Sequence, residues 1–198
     1  RKMENKNVKK MPVVFIHGLG GNAFQYKPIM NFLKRNGFNN FYEFKYSKKF
    51  GQVSLNEIAN ELSSFVKRTV REKKFNIISL SQGGLIARLY INKEGHKRVK
   101  KYITLCTPHN GSVMAYMTNL PGFIELRPKS KFLKKLNEDE KSKMKYYSVY
   151  TPLDLTVFPG INGKFEKAKK NKRVLAPLHM LAFWWKPTLY FILESLNG

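Results

Sequence analysis

Apolar and polar residues along the chain follow two periods, one typical of strands and one typical of amphipathic helices. Residues 12–18 ("PVVFIHG") form a continuous β-branched and apolar run that ends in glycine, which is typical of a strand buried on both faces. The other segments that predict strands are 40–47, 75–80, 99–107, 146–151 and, as the shortest signal, 173–178. Segments of helical period lie between several of them.

Residues 54–74 predict a helix, because apolar side chains recur there at three- and four-residue steps on one face. The members of this face are Leu55, Ile58, Leu62, Phe65 and Val66. Ser54 followed three residues later by Glu57 is a capping box, so we expect the helix to begin there.

Two more helices are predicted after the middle strands. Residues 83–95 form one that Gly95 closes, and Pro187 can open a last one. The predicted inward face of this last helix consists of Leu189, Ile192, Leu193 and Leu196.

Strands that alternate with helices predict an α/β domain, with a mostly parallel sheet and helices on both faces. We expect one domain over residues 11–198, after a basic lead-in over residues 1–10. Residues 108–145 break the alternation, and we expect an excursion over one sheet edge with at most short helices, which is a candidate small lid. Functional groups should collect beyond the carboxyl ends of the strands.

Charge and composition limit the classes of binding partner that the chain can be expected to have. The 198-residue chain carries a net charge of +24, which suits acidic partners such as anionic membrane surfaces, although a generally solvated basic surface is the favoured explanation. No nucleic-acid motif is present, so we expect no dedicated nucleic-acid binding. The single cysteine, Cys106, excludes an intrachain disulfide. The chain begins at Arg1, and we expect an exported bacterial protein rather than a cytoplasmic one.

The segment "NIISLSQGGLIARLY" (76–90) predicts a strand, a sharp turn and a helix, which is the context of a nucleophile elbow. The residues two before and two after the nucleophile must be small. Centring the turn on Ser81 puts Ser79 and Gly83 at those positions, whereas centring it on Ser79 would put Ile77 there. Ser81 is therefore the predicted nucleophile.

A serine nucleophile needs a base and an acid, which follow it in the order acid, then histidine, in this fold class. The chain has two aspartates, and Asp154 follows a predicted strand whereas Asp139 lies in a charged surface run. His179 follows the predicted strand 173–178 and precedes the last helix, whereas His96 should lie at the opposite rim.

The oxyanion of an acyl-transfer reaction needs backbone N–H donors. We expect one from Gln82, directly after the nucleophile, and one from Leu19 in the glycine-rich loop after the first strand. That loop lacks both the G-x-G-x-x-G and the P-loop patterns. We therefore expect no nucleotide cofactor, and no convincing metal-ligand pattern is present either.

With these residues assigned, the chain resembles the α/β-hydrolase superfamily, and specifically its compact bacterial lipases and esterases. "VVFIHGLGGNAFQY" is similar to their oxyanion-loop segment, and "SLSQGGLIARLYI" to their nucleophile segment, usually G-H-S-x-G-G. "YITLCTPHNGS" resembles their L-G-T-P-H-x-G-S stretch, and "ELRPKSKFLKKLN" an R-P-G-S-x-F-L-x-x-L-N stretch. "VYTPLDLTVFP" and "LHMLAFW" resemble the segments with the catalytic aspartate and histidine.

The resemblance covers roughly residues 11–198 and implies a single-domain α/β-hydrolase fold without a large cap domain. It departs at Leu80, where the family often has histidine, and at Ser79 and Cys106, where it usually has glycine. His17 and His109 match positions that help to shape loops in the family, so the resemblance implies structural roles for them.

The expected function is that of a serine hydrolase which cleaves carboxylic esters of lipids or other apolar acyl groups. Phe183, Trp184 and Trp185 follow the base directly, and they either contact substrate or membrane or pack under the last helix. An acyl thioesterase or acyltransferase would use the same triad. A catalytically silent binding module and a basic surface-binding protein remain as alternatives.

Overall fold

The computed structural model of the chain describes residues 10–46, 50–139 and 144–198. Its strands are β1 (Val13–Ile16), β2 (Phe41–Phe44), β3 (Phe75–Leu80), β4 (Val99–Leu105), β5 (Lys145–Tyr150) and β6 (Lys170–Arg173). Its helices are α1 (Lys27–Arg35), α2 (Leu55–Thr69), α3 (Gly83–Lys93), α4 (Pro121–Leu126), α5 (Lys131–Glu138), α6 (His179–Trp184) and α7 (Lys186–Asn197). The predicted basic lead-in lies outside the described residues except for Lys10.

The strands form one parallel sheet in the order β2-β1-β3-β4-β5-β6. Alternate side chains of each central strand enter two separate cores. Val14 of β1 packs with α2 and α3 on one face, whereas Val13 packs with α1, α6 and α7 on the other. The predicted α/β class, with a parallel sheet and helices on both faces, is confirmed.

Helix α2 begins as the capping box predicts. The Ser54 hydroxyl accepts a hydrogen bond from the Glu57 backbone N–H at 3.2 Å. The helix ends at Thr69, five residues before the predicted end at 74. The turn after α2 is fixed by a residue distant in sequence, because the Arg98 guanidinium donates hydrogen bonds to the carbonyl oxygens of Val70 and Glu72. This distant contact explains why periodicity alone placed the end too late.

The last strand lies earlier than predicted. The prediction was 173–178, whereas β6 spans Lys170–Arg173 and pairs with β5 alone. An edge strand needs only one line of backbone pairing and one buried face at most, so its sequence need not be apolar. The apolar signal came instead from Val174 and Ala176, two buried loop residues.

Helix α1 was not predicted, although its signal is present. Pro28 lies in its first turn, and Ile29, Met30 and Leu33 are buried at one-, three- and four-residue spacings. The helix closes the face of the sheet that also carries α6 and α7.

The described part of the 108–145 segment contains the short helices α4 and α5, a 3-10 turn over Val113–Met117 and the first residue of β5. Leu126, Leu133 and Leu136 of this segment join the core formed with α2 and α3. None of the described helices combines the length and apolar character that crossing a bilayer requires.

The cap of α2 gives a test of this description. Ser54→Ala removes the acceptor for the Glu57 N–H and should lower the free energy of unfolding by about 1 kcal/mol. Ser64→Ala, on the exposed side of the same helix, is the matched control and should be neutral or slightly stabilising because alanine favours helix. Urea unfolding followed by circular dichroism measures both, and equal effects would contradict the assigned cap.

Candidate active site

Ser81 occupies a strained turn between β3 and α3. Its φ is 50°, in the left-handed region that non-glycine residues rarely adopt. Its backbone N–H donates to the Leu105 carbonyl oxygen at 2.8 Å, and its own carbonyl accepts from the Thr107 hydroxyl at 2.8 Å. These bonds hold the turn, and the Ser81 side chain remains partly exposed at the carboxyl edge of the sheet.

The residues around Ser81 must be small because neighbouring segments of the chain approach its turn closely. A Cβ atom on Gly83 would lie 2.4 Å from the His17 carbonyl oxygen, and one on Gly84 would lie 2.0 Å from the Thr107 hydroxyl oxygen. The need for glycine at 83 therefore comes from the chain after β1. Ser79 is fully buried within β3, where its hydroxyl donates to Tyr102 Oη at 3.2 Å. The structure thus leaves Ser81 as the accessible serine of the pair.

Asp154 and His179 are brought together from different segments. His179 Nδ1 lies 2.6 Å from Asp154 Oδ2. His179 is the first residue of α6, and its ring packs edge-on against Phe183 one turn later at 5.1 Å. Asp154 is 1% exposed, whereas the imidazole is partly accessible. The pair can therefore orient one imidazole nitrogen and leave the other free to exchange a proton.

The turn after β5 presents the Asp154 carboxylate in one orientation. Its Oδ1 accepts hydrogen bonds from the backbone N–H groups of Thr156 and Val157 at 2.9 and 2.8 Å. Oδ2 remains for His179.

Cys106 completes this cluster, and sequence reasoning missed the contact. Its Sγ, a carboxylate oxygen of Asp154 and a ring nitrogen of His179 all lie within 4.8 Å of one another. Burial, followed by the negative charge of Asp154 and a hydrogen bond to it, raises the pKa of the thiol well above its ordinary value. The only sequence signal was a cysteine where the resemblance has glycine.

The loop after β1 is fixed against the same edge. The Gly18 N–H donates to the Gln25 side-chain oxygen at 3.0 Å, and Tyr46 Oη donates to the carbonyl oxygens of His17 and Gly18. A Cβ on Gly18 would lie 2.9 Å from the Ser81 Cβ, so the loop lies directly beside Ser81. Gln25 and Tyr46 are positioning residues that sequence analysis did not identify.

The two predicted oxyanion donors lie on the elements expected. Leu19 is in this loop and is half-buried, and Gln82 is buried directly before α3. Among the residues that the structure describes, neither backbone N–H has an acceptor in the protein. Both groups are therefore available to a ligand at this edge.

The three aromatic residues after the base occupy different environments. Phe183 is fully buried in the core with α1 and α7, which is the packed placement of the two that the sequence left open. Trp184 is partly buried, and its Nε1 donates to the Gln25 carbonyl oxygen at 2.8 Å. Trp185 is the exposed member, with 38% of its surface accessible.

The other three histidines lie outside the Asp154–His179 contact. His17 stacks on Tyr46 at 4.1 Å, and burial lowers its pKa. His109 stacks on Phe165, and burial followed by the charge of the adjacent Arg88 lowers its pKa well below the ordinary range. His96 lies before β4, at the opposite rim from Ser81, as predicted.

Comparison with protein families returns one match over most of the chain. The model of the family described as palmitoyl protein thioesterase matches residues 12–153. The matched range includes Ser81 and ends immediately before Asp154.

Solved structures with the same fold are lipases and esterases. The mature form of Bacillus licheniformis lipase BlEst2 superposes with a TM-score of 0.76 at 17% identity, covering 99% of this chain and 96% of that one. Paleococcus ferrophilus monoacylglycerol lipase gives 0.72 at 16% identity, covering 93% of both chains. Aspergillus fumigatus lipase B gives 0.79 at 14% identity over 96% of this chain but only 53% of its own length. At these identities the similarity establishes the fold alone.

Proposed function

The chain belongs to the palmitoyl protein thioesterase family of α/β-hydrolases, and we propose that it is a serine hydrolase that cleaves apolar carboxylic esters through Ser81, His179 and Asp154. The family and the fold support a hydrolase of the lipase, esterase or thioesterase type.

One observation carries the proposal most directly. The 2.6 Å contact between His179 Nδ1 and Asp154 Oδ2 lies at the carboxyl edge of the sheet, the edge at which Ser81 follows β3. A buried carboxylate that orients a partly exposed imidazole is the arrangement that activates a serine hydroxyl. The segment Cys106–Thr107 links the two parts, because it contacts both Asp154 and the Ser81 backbone.

Acylation proceeds by attack of Ser81 Oγ on the ester carbonyl carbon. His179 Nε2 takes the hydroxyl proton, while Asp154 holds the ring and stabilises the imidazolium. The N–H groups of Leu19 and Gln82 donate to the oxyanion. The C–O bond to the leaving alcohol then breaks, and His179 returns the proton to that alcohol.

Deacylation repeats these roles with water. His179 takes a proton from the water molecule that attacks the acyl-enzyme, and the oxyanion again lies against Leu19 and Gln82. Collapse of the intermediate breaks the bond to Ser81 Oγ, which recovers its proton from His179. The carboxylic acid leaves.

Apolar substrates are favoured by the surface around the site. Exposed apolar residues occupy the segments that follow β1, β4, β5 and β6 at the carboxyl edge of the sheet, and Trp185 is exposed at the junction of α6 and α7. We call this set the apolar rim: Phe24, Val113, Met114, Leu153, Leu155, Phe158, Leu175, Leu178 and Trp185. A rim of this kind on a chain with a net charge of +24 suits an anionic lipid surface.

An acyl thioesterase is the second candidate. The matching family model is described as palmitoyl protein thioesterase, and the same three side chains would cleave a thioester by the same steps with a thiol as leaving group. The fold does not separate the two, because ester and thioester carbonyls present the same geometry to Ser81.

The two serines of the turn provide a matched test of the nucleophile. Ser81→Ala should lower kcat/KM for a p-nitrophenyl ester by about 10⁴-fold or more and abolish labelling by a fluorophosphonate probe. Ser79→Ala removes a buried hydroxyl two residues away and should keep both activities. Full activity of Ser81→Ala would refute the mechanism, and an unlabelled wild type would favour a silent binding module.

A substrate panel separates the two candidates. With p-nitrophenyl esters from acetate to palmitate, kcat/KM should rise as the acyl chain lengthens, because more apolar surface is buried against the site. Matched acyl thioesters measured beside them provide the control. A preference of more than about tenfold for thioesters at equal acyl length would favour the second candidate over the first.

The apolar rim is tested by binding to vesicles. Replacing Trp185 and Leu178 together by serine should weaken binding to phosphatidylglycerol vesicles by about tenfold, because apolar area no longer enters the lipid. Tyr190→Ser is the control, since Tyr190 is also exposed but lies on the side of α7. Wild-type binding should fall as salt rises, and equal binding by both variants would contradict a role for the rim.

A further inference from the structure

Cys106 occupies a position whose backbone conformation would suit glycine better. Its φ is 48°, and its N–H donates to the Val149 carbonyl oxygen at 2.8 Å, which holds it directly beyond β4. A side chain in this region of backbone space costs about 1–2 kcal/mol relative to glycine. The cysteine side chain is nevertheless present and almost fully buried.

The thiol lies against the pair that the mechanism uses. Its Sγ lies within 4.8 Å of both a carboxylate oxygen of Asp154 and a ring nitrogen of His179. The thiol therefore lies beside a carboxylate that already accepts hydrogen bonds from the Thr156 and Val157 N–H groups and faces the His179 imidazole.

We infer that Cys106 is a positioning residue for the proposed triad, whose thiol donates a hydrogen bond to Asp154 and limits the orientations of the carboxylate that faces His179. The inference rests on the proposed function. Two backbone donors hold Oδ1, and the thiol of Cys106, directly after β4, adds a donor near the same carboxylate. The imidazole then meets one carboxylate orientation instead of several.

The same three side chains have the composition of a metal site, but the surroundings favour the donor role. A metal ion needs the thiolate, and proximity to the Asp154 charge in a buried position keeps the sulfur protonated. A thiol in that state is a hydrogen-bond donor, and Asp154 is the acceptor beside it.

Three substitutions separate the donor from volume and backbone strain. Cys106→Ala and Cys106→Gly both remove the donor, and glycine also relieves the positive φ. Each should lower kcat for a p-nitrophenyl ester by about three- to tenfold with KM unchanged. Cys106→Ser keeps a hydrogen-bond donor on the same Cβ, and its kcat should lie between that of Cys106→Ala and that of the wild type.

Proton NMR reports on the Asp154–His179 pair without turnover. The resonance of the His179 Nδ1 proton, assigned with a His179→Gln variant, should broaden in Cys106→Ala and remain sharper in Cys106→Ser. Ser148→Ala is the structural control. Ser148 lies in the neighbouring strand β5, and the substitution removes a buried hydroxyl that donates to the Gly163 carbonyl oxygen. It should leave both kcat and the His179 resonance unchanged.

The inference is overturned if Cys106→Ala keeps the wild-type kcat and resonance, or if alanine and serine are equally impaired. Inhibition by micromolar Zn²⁺ of the wild type but not of Cys106→Ala would also overturn it, in favour of a thiolate ligand. If Ser81→Ala retains the wild-type esterase rate, the proposed function fails, while the His179 resonance still tests the role of Cys106.

Discussion

The structure of the site depends on backbone pairing that continues one residue beyond the ends of the central strands. The Ser81 N–H donates to the Leu105 carbonyl oxygen and the Cys106 N–H to that of Val149. Both residues have a positive φ, 50° and 48°, so each turns its chain sharply at the same height. The hydrogen bonds between neighbouring strands thus hold these two turns in register. The side chains beyond the turns lie close together because the strands that precede them are neighbours.

This constraint also explains the glycines on either side. The chain after β1 and the first turn of α3 converge on the Ser81 turn, and Gly83 and Gly84 are small because backbone and side-chain atoms already occupy the space. The loop that contains the predicted oxyanion donor Leu19 is held by Gln25 and Tyr46, and its Gly18 packs directly beside Ser81. The positions of the predicted donor and the predicted nucleophile are therefore set by shared packing.

The histidines differ in the physical consequence of their surroundings. His17 and His109 are buried against aromatic rings, which lowers the pKa of each imidazole and suits a neutral packing role. His179 is the one beside a buried carboxylate with part of its ring accessible. A buried carboxylate beside a partly accessible imidazole is the arrangement that the proposed mechanism requires of a general base.

Local signals in the sequence were sufficient for β3, for the start of α2, for the parallel α/β class and for the candidates Ser81, Asp154 and His179, because periodicity, capping and strand-end positions act over a few residues. Tertiary structure decided the rest. The edge strand β6 has no apolar signature because its pairing with β5 uses backbone atoms, and Phe183 is buried because α6 folds onto α1 and α7. The approach of Cys106 to Asp154 joins residues 48 positions apart; it exists only because β4 and β5 are neighbours, which no local pattern encodes.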